Sequence, residues 1–445
     1  MKIACISLGC PKNQVDLDVM VHILLSAGHE TVADLAEADV ILVNTCGFIE
    51  SAKTEAIENI LEACAYKQQN PNLKVIVTGC LAERYRSQIE EEIPEVDAVV
   101  GCASNKAIDT IVERLFHGED HLESYGAKKD FPLGGKRVIG TPAHYAYLKI
   151  AEGCDKHCTY CIIPSLRGNY RSVPMERLLK EANELADQGV RELILVAQET
   201  TLYGVDLYGK KMLPELLHKL AEIPGIYWIR IQYCYPEEIT DEFIEAIRTE
   251  EKVCHYLDVP IQHASDRILK RMGRRTNQAQ LREIIGKLRA AVPDIALRTT
   301  MISGFPGETQ EDHEEVMRFV DEMEFERLGV FTYSAEEDTP AAAFPDQIPE
   351  EVKEERRDEI MELQQEIAFE KSESMVGRDL DVMIEGKVAD EAAYVGRTYM
   401  DAPNVDGYIF VNSGELFMSG DFVRVKVTGS NDYDLIGEVY DESAE

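Results

Sequence analysis

The chain has 445 residues, of which 45% are hydrophobic and 29% charged. These are ordinary values for a globular protein, so they argue against long disorder and suggest about three domains at roughly 150 residues each. Acidic residues outnumber basic ones 82 to 46, for a net charge of −36; such a surface repels phosphate backbones and suits a basic partner or none. No apolar run approaches the roughly 18 residues of a membrane span. The apolar stretch at 3–8 runs straight into Pro11, Lys12 and Asn13 without a cleavage site, so the expected compartment is the cytoplasm. Eleven cysteines, an odd number, occur in this long chain. In a reducing compartment they point to metal ligation or catalysis sooner than to disulfides.

Residues 1–118 alternate short apolar runs (2–8, 40–45, 74–78, 98–100) with helical stretches such as 13–26 and 51–67. That pattern predicts an N-terminal α/β domain with a doubly wound parallel sheet. The polar, Gly-containing stretch 119–140 reads as a linker. A second α/β series occupies 141–374, with strands expected at 145–151, 192–197, 227–232, 256–260, 296–302 and 328–333. Between the first two, Pro174 opens and Gly189 closes an amphipathic helix. Six strand–helix units suggest a partial barrel, since eight would be needed to close one. The charge-rich stretch 349–374 reads as a connecting helix. From 375 to 445 apolar residues alternate with polar ones (Leu380, Val382, Ile384; Val423, Val425, Val427), and turn signals punctuate them. That predicts a small antiparallel β barrel.

The sharpest motif is Cys154-x3-Cys158-x2-Cys161, just after the first strand of the second series, where a barrel's active-site loops begin. Three thiolates on one short loop can hold three irons of a cubane and leave the fourth open. A structural zinc site wants four closed ligands, and His157, between Cys154 and Cys158, is awkwardly placed to be the fourth. A dispersed set, Cys10, Cys46 and Cys80, follows three predicted strands of the N-terminal sheet. Ligands of open α/β sheets gather at that edge. Three buried core thiols are the plainer reading of this set, but Gly9, Gly47 and Gly79 beside them are suited to the tight turns of a cluster loop. The other five cysteines (Cys5, Cys64, Cys102, Cys234, Cys254) lie within strand or helix patterns and read as core thiols.

The Cx3Cx2C motif with Tyr160 before its last cysteine resembles the signature of radical S-adenosylmethionine enzymes, whose fold is a partial (βα)6 barrel. With the N-terminal triad, the whole chain resembles the methylthiotransferase family. The resemblance implies an N-terminal domain with an auxiliary 4Fe–4S cluster on Cys10, Cys46 and Cys80. It implies a radical domain whose 4Fe–4S cluster is held by Cys154, Cys158 and Cys161, and a C-terminal TRAM barrel. It also implies S-adenosylmethionine as cofactor and sulfur insertion at a C–H carbon with methyl capping. Tyr160, Glu199, Arg230, Gln262, Arg298 and Gly304, at or near strand ends, are the expected contacts of S-adenosylmethionine.

Within the family, Gly-Cys-Pro-Lys-Asn at 9–13 resembles the branch that modifies the β-carbon of an aspartate in small-subunit ribosomal protein S12; the tRNA branch tends to carry Gln-Met-Asn there. The segment 375–445 holds 5 basic and 15 acidic residues, unlike an RNA-binding barrel. The expected partners are therefore that basic protein, free or within the small subunit, and an electron-donor protein; tRNA and membranes are not expected. The alternatives are a tRNA-adenosine methylthiotransferase and a non-catalytic iron–sulfur electron carrier. Two clusters with open positions argue against the carrier, because carriers usually close theirs with four ligands.

Overall fold

The computed structural model describes residues 1–439; 440–445, which include Asp441, Glu442 and Glu445 of the acidic count, lie outside the described residues. The N-terminal unit is a six-stranded parallel sheet of β1 (Lys2–Ser7), β2 (Glu30–Thr31), β3 (Val40–Thr45), β4 (Lys74–Gly79), β5 (Ala98–Val100) and β6 (Leu122–Ser124). Their order is β2-β1-β3-β4-β5-β6. The chain leaves β1 toward one edge and returns through β3, so the topological switch point, where such sheets hold ligands, lies between β1 and β3. Cys10 follows β1 and Cys46 follows β3. The expected linker is corrected here. Its first residues form β6, which pairs Ala98 with Leu122 and extends the sheet. A three-residue edge strand is too short to show a period of its own.

The helix Pro11–Ser26 begins two residues earlier than its periodicity suggested, with Pro11 in its first turn and Cys10 as an extended N-cap, a position proline favours. It is buried on two sides. Leu17, Met20 and Leu24 pack on their own sheet, while Val15 joins Tyr145, Tyr147, Ile194 and Val196 on the inner side of the central domain.

The central domain contains six parallel strands: β7 (Tyr145–Lys149), β10 (Glu192–Val196), β11 (Trp228–Ile231), β12 (Val253–Asp258), β13 (Ala296–Ser303) and β14 (Arg327–Thr332). They stand in sequential order from β7 to β14, the arrangement of a partial barrel. A two-stranded ribbon, β8 (Ala151–Glu152) with β9 (Arg171–Ser172), brackets the cysteine loop. Leu178, Ala182 and Leu185 of the helix Met175–Asp187 bury their face on the outer side of the sheet with Leu193 and Leu195. The expected connecting helix runs Glu350–Ser374 and is more than a connector. Gln364 donates to the Phe325 carbonyl at 2.8 Å and Arg356 pairs with Glu308 at 2.8 Å, so it packs as a further helix of the barrel.

The C-terminal unit is a closed barrel of β15 (Asp379–Lys387), β16 (Ala393–Arg397), β17 (Ile409–Asn412), β18 (Phe422–Asn431) and β19 (Asp434–Val439). Its apolar interior is continuous with Trp228, Cys254 and Tyr256 of the central strands. The segment after β16 enters the lower end of the partial barrel. There Arg230 donates to the carbonyl of Tyr399, Tyr256 to Asp406 at 3.0 Å, and Asn404 to the Tyr145 hydroxyl at 3.2 Å.

Candidate active site

Each cysteine of the N-terminal triad sits where the chain turns out of a strand. Gly79 has a φ of +95°, and a Cβ there would lie 2.3 Å from the Thr45 carbonyl oxygen, so only glycine fits between β3 and the helix that Cys80 begins. Gly9 has a φ of +98°, and its Cα hydrogen faces the Cys46 Cβ. Gly47 has an ordinary φ but leaves no room for a side chain against the backbone of Leu81. These turns bring the three sulfurs into one neighbourhood. Burial pushes the Cys46 thiol up to about 12, and the Cys80 and Cys10 sulfurs push it the same way. Cys80 moves in the opposite direction. A hydrogen bond from Cys102 holds it below the ordinary thiol range against the effect of burial, and the Arg167 guanidinium adds to this. Cys102 is buried as expected of a core thiol, but its place beside Cys80 was not expected.

The second triad lies on the loop between β8 and the helix Ile163–Arg167. Gly153 (φ +79°) starts the loop under the carbonyl of Asn169. Thr159 fastens its middle, donating through its backbone N–H to the Met272 carbonyl at 2.9 Å and through its hydroxyl to Arg271 at 2.8 Å. Burial pushes the Cys154 thiol up to about 11 and the Cys161 thiol higher, and in both Cys158 adds to the shift. The Tyr235 hydroxyl lies 3.6 Å from the Cys158 sulfur, and Arg274, stacked 4.2 Å over the Tyr235 ring, reaches the same sulfur at 4.0 Å. His157 is exposed. Among the described residues no three His, Cys, Asp or Glu side chains converge on a single ion position. A cubane spreads its ligands over separate irons and does not ask them to converge.

The two triads face each other. Ile162, next to Cys161, and Leu166 pack directly on Cys80 with Phe48. Arg167, at the end of the same short helix and fully buried, points its guanidinium at the Cys80 sulfur, 3.4 Å away. Arg167 also donates to Asn13, to Asp16 at 2.8 Å and to Glu152 at 3.3 Å. Lys149 completes the set, pairing with Asp16 and, at 2.9 Å, with Glu152. Two cations and two carboxylates, all buried, thus bridge the N-terminal and central domains. Burying such charges is tolerated only because each has its partners. Sequence reading missed all four. The one available signal was a Lys and a Glu placed in an otherwise apolar strand region, at 149 and 152.

The expected S-adenosylmethionine contacts divide. Glu199 is fully buried past the end of β10. Its Oε1 accepts from the Thr201 backbone N–H at 2.9 Å and from the Thr201 hydroxyl, while Oε2 has no partner. Burial pushes this carboxyl up to about 7. Gln198 and Gln232, on the same rim, also leave their Oε1 atoms unpaired, and three unpaired buried oxygens at one rim ask for a polar ligand. Tyr160 packs with Met272 and with Phe305 of the Gly304 loop. Gln262 (φ +73°) bridges to β13 through its backbone.

Three expectations change. Arg230 does not face this rim. It is wholly buried at the opposite end, paired with Glu192 at 2.7 Å and with the segment after β16. Arg230 lies in register with Ile194, and its side chain reaches back to Glu192, the first residue of β10. Arg298 lies inside the barrel, engaged by Asp258 at 3.1 Å and Asp406 at 3.4 Å. At Gly304 (φ +70°) the space a Cβ would take is filled by Lys353, and the N–H groups of Gly304 and Phe305 are taken by Glu308. This loop is therefore tied to the helix Glu350–Ser374.

Comparison with known proteins agrees with this architecture. Residues 2–101 match the uncharacterized protein family UPF0004, residues 148–320 the radical SAM superfamily and residues 376–439 the TRAM domain. The chain is 60% identical to a ribosomal protein uS12 methylthiotransferase RimO from Lachnoclostridium phytofermentans, over 98% of this chain and 99% of the relative. It is 50% identical to the protein of the same name from Acetivibrio thermocellus, over 100% and 99%. In fold it is similar to the radical S-adenosylmethionine methyltransferase TsrM from Kitasatospora setae, with a TM-score of 0.58 at 14% identity over 87% of this chain and 78% of that one.

Proposed function

The chain belongs to the family of ribosomal protein uS12 methylthiotransferases, and from that membership we propose that its two cysteine triads hold two clusters that work on one aspartate of uS12 from opposite sides. The protein is a radical S-adenosylmethionine transferase whose cofactors are 4Fe–4S clusters and S-adenosylmethionine. In this reading Cys10, Cys46 and Cys80 hold the auxiliary cluster, and Cys154, Cys158 and Cys161 the radical one. The observation that carries it is the packing of Ile162 and Leu166 on Cys80, with Arg167 at its sulfur. A loop built for one cluster is thereby pressed against a ligand of the other.

The residues present fit these groups. Each triad supplies three soft ligands, those of the N-terminal triad each beside a glycine, and leaves one position free. The orphaned oxygens of Glu199, Gln198 and Gln232 offer a polar ligand its partners. Bound there, the cofactors supply the radical that takes hydrogen from the inert β-carbon, and the methylthio group that replaces it. The protein's own part is to hold and shield. Tyr235 and Arg274 place donors and positive charge at Cys158. Arg167 does the same at Cys80 and fixes the distance between the two sites through Asp16 and Glu152. The Pro11–Ser26 helix packs Val15 against Tyr145, Tyr147, Ile194 and Val196 on the inner side of the barrel, which holds the N-terminal triad against the central domain.

The net charge of −36 suits a basic ribosomal protein, met free or within the small subunit. A separate electron-donor protein and a cytoplasmic setting complete the reading. Among the described residues no helix is long and apolar enough to cross a membrane. The test is to incubate the anaerobically reconstituted protein with recombinant uS12, S-adenosylmethionine, sulfide and a reductant, and to analyse uS12 by mass spectrometry. One methylthio group on one aspartate is expected. Modification of tRNA adenosine with uS12 untouched would overturn the reading.

A further inference from the structure

Five lysines are buried in the described structure: Lys12, Lys53, Lys149, Lys156 and Lys353. Four are ion-paired. Lys53 meets Glu50 and Glu336, Lys149 meets Asp16 and Glu152, Lys156 meets Glu237 and Glu238, and Lys353 meets Glu350. Lys12 is the exception. It is 7% exposed, and its ammonium makes one long hydrogen bond, to the Ala197 carbonyl at 3.4 Å, and stands 3.5 Å over the Tyr233 ring. Among the described residues no carboxylate pairs with it. A desolvated ammonium with two unused donors is costly unless an anion completes it.

The neighbouring carboxylates cannot be that anion. Glu152 is engaged by Lys149, Arg167 and Gln198, Asp16 by Lys149 and Arg167, and Asp258 by Arg298 and the Tyr233 N–H. Two of the sulfurs have cations of their own, Arg167 at Cys80 and Arg274 at Cys158, while the Cys10 sulfur lies near enough for its charge to act on Lys12. Lys12 is contributed by the N-terminal domain, two residues past Cys10, yet its contacts are with the carboxyl ends of β10 and β11 in the central domain. It therefore stands between the triads, at the rim where Cys10, Gln198 and Tyr233 are each half-buried and reachable. Tyr233 is held at a φ of 62°, a conformation that costs a bulky residue energy and that the Asp258 hydrogen bond maintains. The strain presents its ring to the ammonium.

We propose that Lys12 is the specificity-determining residue that binds the side-chain carboxylate of the substrate aspartate. This rests on the reading of the site given above. The carboxylate is bonded directly to the β-carbon, so an ion pair with Lys12 sets that carbon between the two triads. An uncharged side chain at the same place would leave the ammonium unpaired.

The test measures binding of the cluster-loaded enzyme, under anaerobic conditions, to uS12 and to a uS12 variant in which the modified aspartate is asparagine. The wild-type enzyme should favour the aspartate protein by roughly tenfold to a hundredfold, the range of a charge-assisted hydrogen bond. Lys12→Met should bind both proteins with the weaker affinity, within about a factor of two. Lys12→Arg, which keeps the charge, should recover part of the preference. Iron content and cluster spectra are recorded for every variant. Retained preference in Lys12→Met overturns the proposal. So does loss of the auxiliary cluster in that variant, which would make Lys12 a counter-ion of the cluster. If wild-type enzyme leaves uS12 unmodified, it is the broader functional reading that has failed.

Discussion

Arg167 lies at the end of the helix that leaves the Cys154–Cys161 loop, and its guanidinium is 3.4 Å from the sulfur of Cys80, 87 residues away in sequence. One side chain thus spans the regions of the two cysteine triads. It is held in place by Asn13, Asp16 and Glu152. Removing it leaves two buried carboxylates short of a partner. Arg167→Met should destabilise the fold by about 3–5 kcal/mol, seen as a lower denaturant midpoint. Arg167→Lys should recover less than half of this, because the forked contact is lost with the guanidinium. A variant as stable as wild type would show that the network is not what joins the domains.

The two triads should be separable by iron analysis. Reconstituted protein should hold roughly eight irons, two cubanes of four. Cys154→Ala, Cys158→Ala and Cys161→Ala combined should leave about half. Cys10→Ala, Cys46→Ala and Cys80→Ala combined should also leave about half, but with reductive cleavage of S-adenosylmethionine retained. Four irons in the wild type, or bound zinc, would refute two clusters.

Gly79→Ala probes the auxiliary site through the backbone alone. The added Cβ would collide with the Thr45 carbonyl at 2.3 Å in a left-handed conformation. We expect a loss of about 2–4 kcal/mol, strain and overpacking together. The auxiliary iron should fall with it, while the radical triad keeps its own.

Glu192 yields a pH prediction. Burial alone would raise its carboxyl, but Arg397 and Arg230 more than offset that and hold it below the usual carboxylate range. A depressed folded value means that the stabilisation is fully present above the unfolded value of about 4.5, and that it is lost as pH falls through the folded value. Glu192→Gln should therefore be much less stable than wild type at neutral pH, and the gap should narrow in acid below about pH 4.5. Because Glu192 joins β10 to the C-terminal barrel through Arg397, the barrel should detach first. A gap that stays constant from pH 7 to 3 would contradict the assignment.

Charge should govern the encounter with uS12. Asp390, Glu391, Asp432 and Glu438 are exposed on the C-terminal barrel. Replacing all four with Lys should slow association several-fold at low salt, with little difference at high salt. Asp434 is unsuitable for this test, since it accepts the Tyr408 N–H at 2.8 Å and holds the barrel's own turn. Single changes should have little effect, as exposed charges are worth little one at a time. An association rate indifferent to salt would remove charge from the argument.

The amino-acid sequence by itself determined the domain order, the six central strands, the closing barrel and both cysteine triads. These are local patterns. A Cx3Cx2C spacing, a period-two strand and a glycine beside a cysteine are each set within a few residues, so each is visible without the fold. The family resemblance could point to Glu199 and Tyr160 for the same reason, since each sits at or beside a strand end or the motif itself. The tertiary structure alone decided where charged side chains go. Arg230 and Glu199 are both charged residues from neighbouring central strands, yet one is spent on the C-terminal barrel and the other opens on the cysteine loop. Nothing local distinguishes them. Likewise, Lys149 reads as an ordinary strand residue until Asp16 reaches it from another domain, and Lys12 as an ordinary first-turn lysine until every nearby carboxylate is found to be taken. A buried charge is accounted for only by the partners that long-range packing brings to it, and those partners come from as far along this chain as Glu336, which pairs with the buried Lys53.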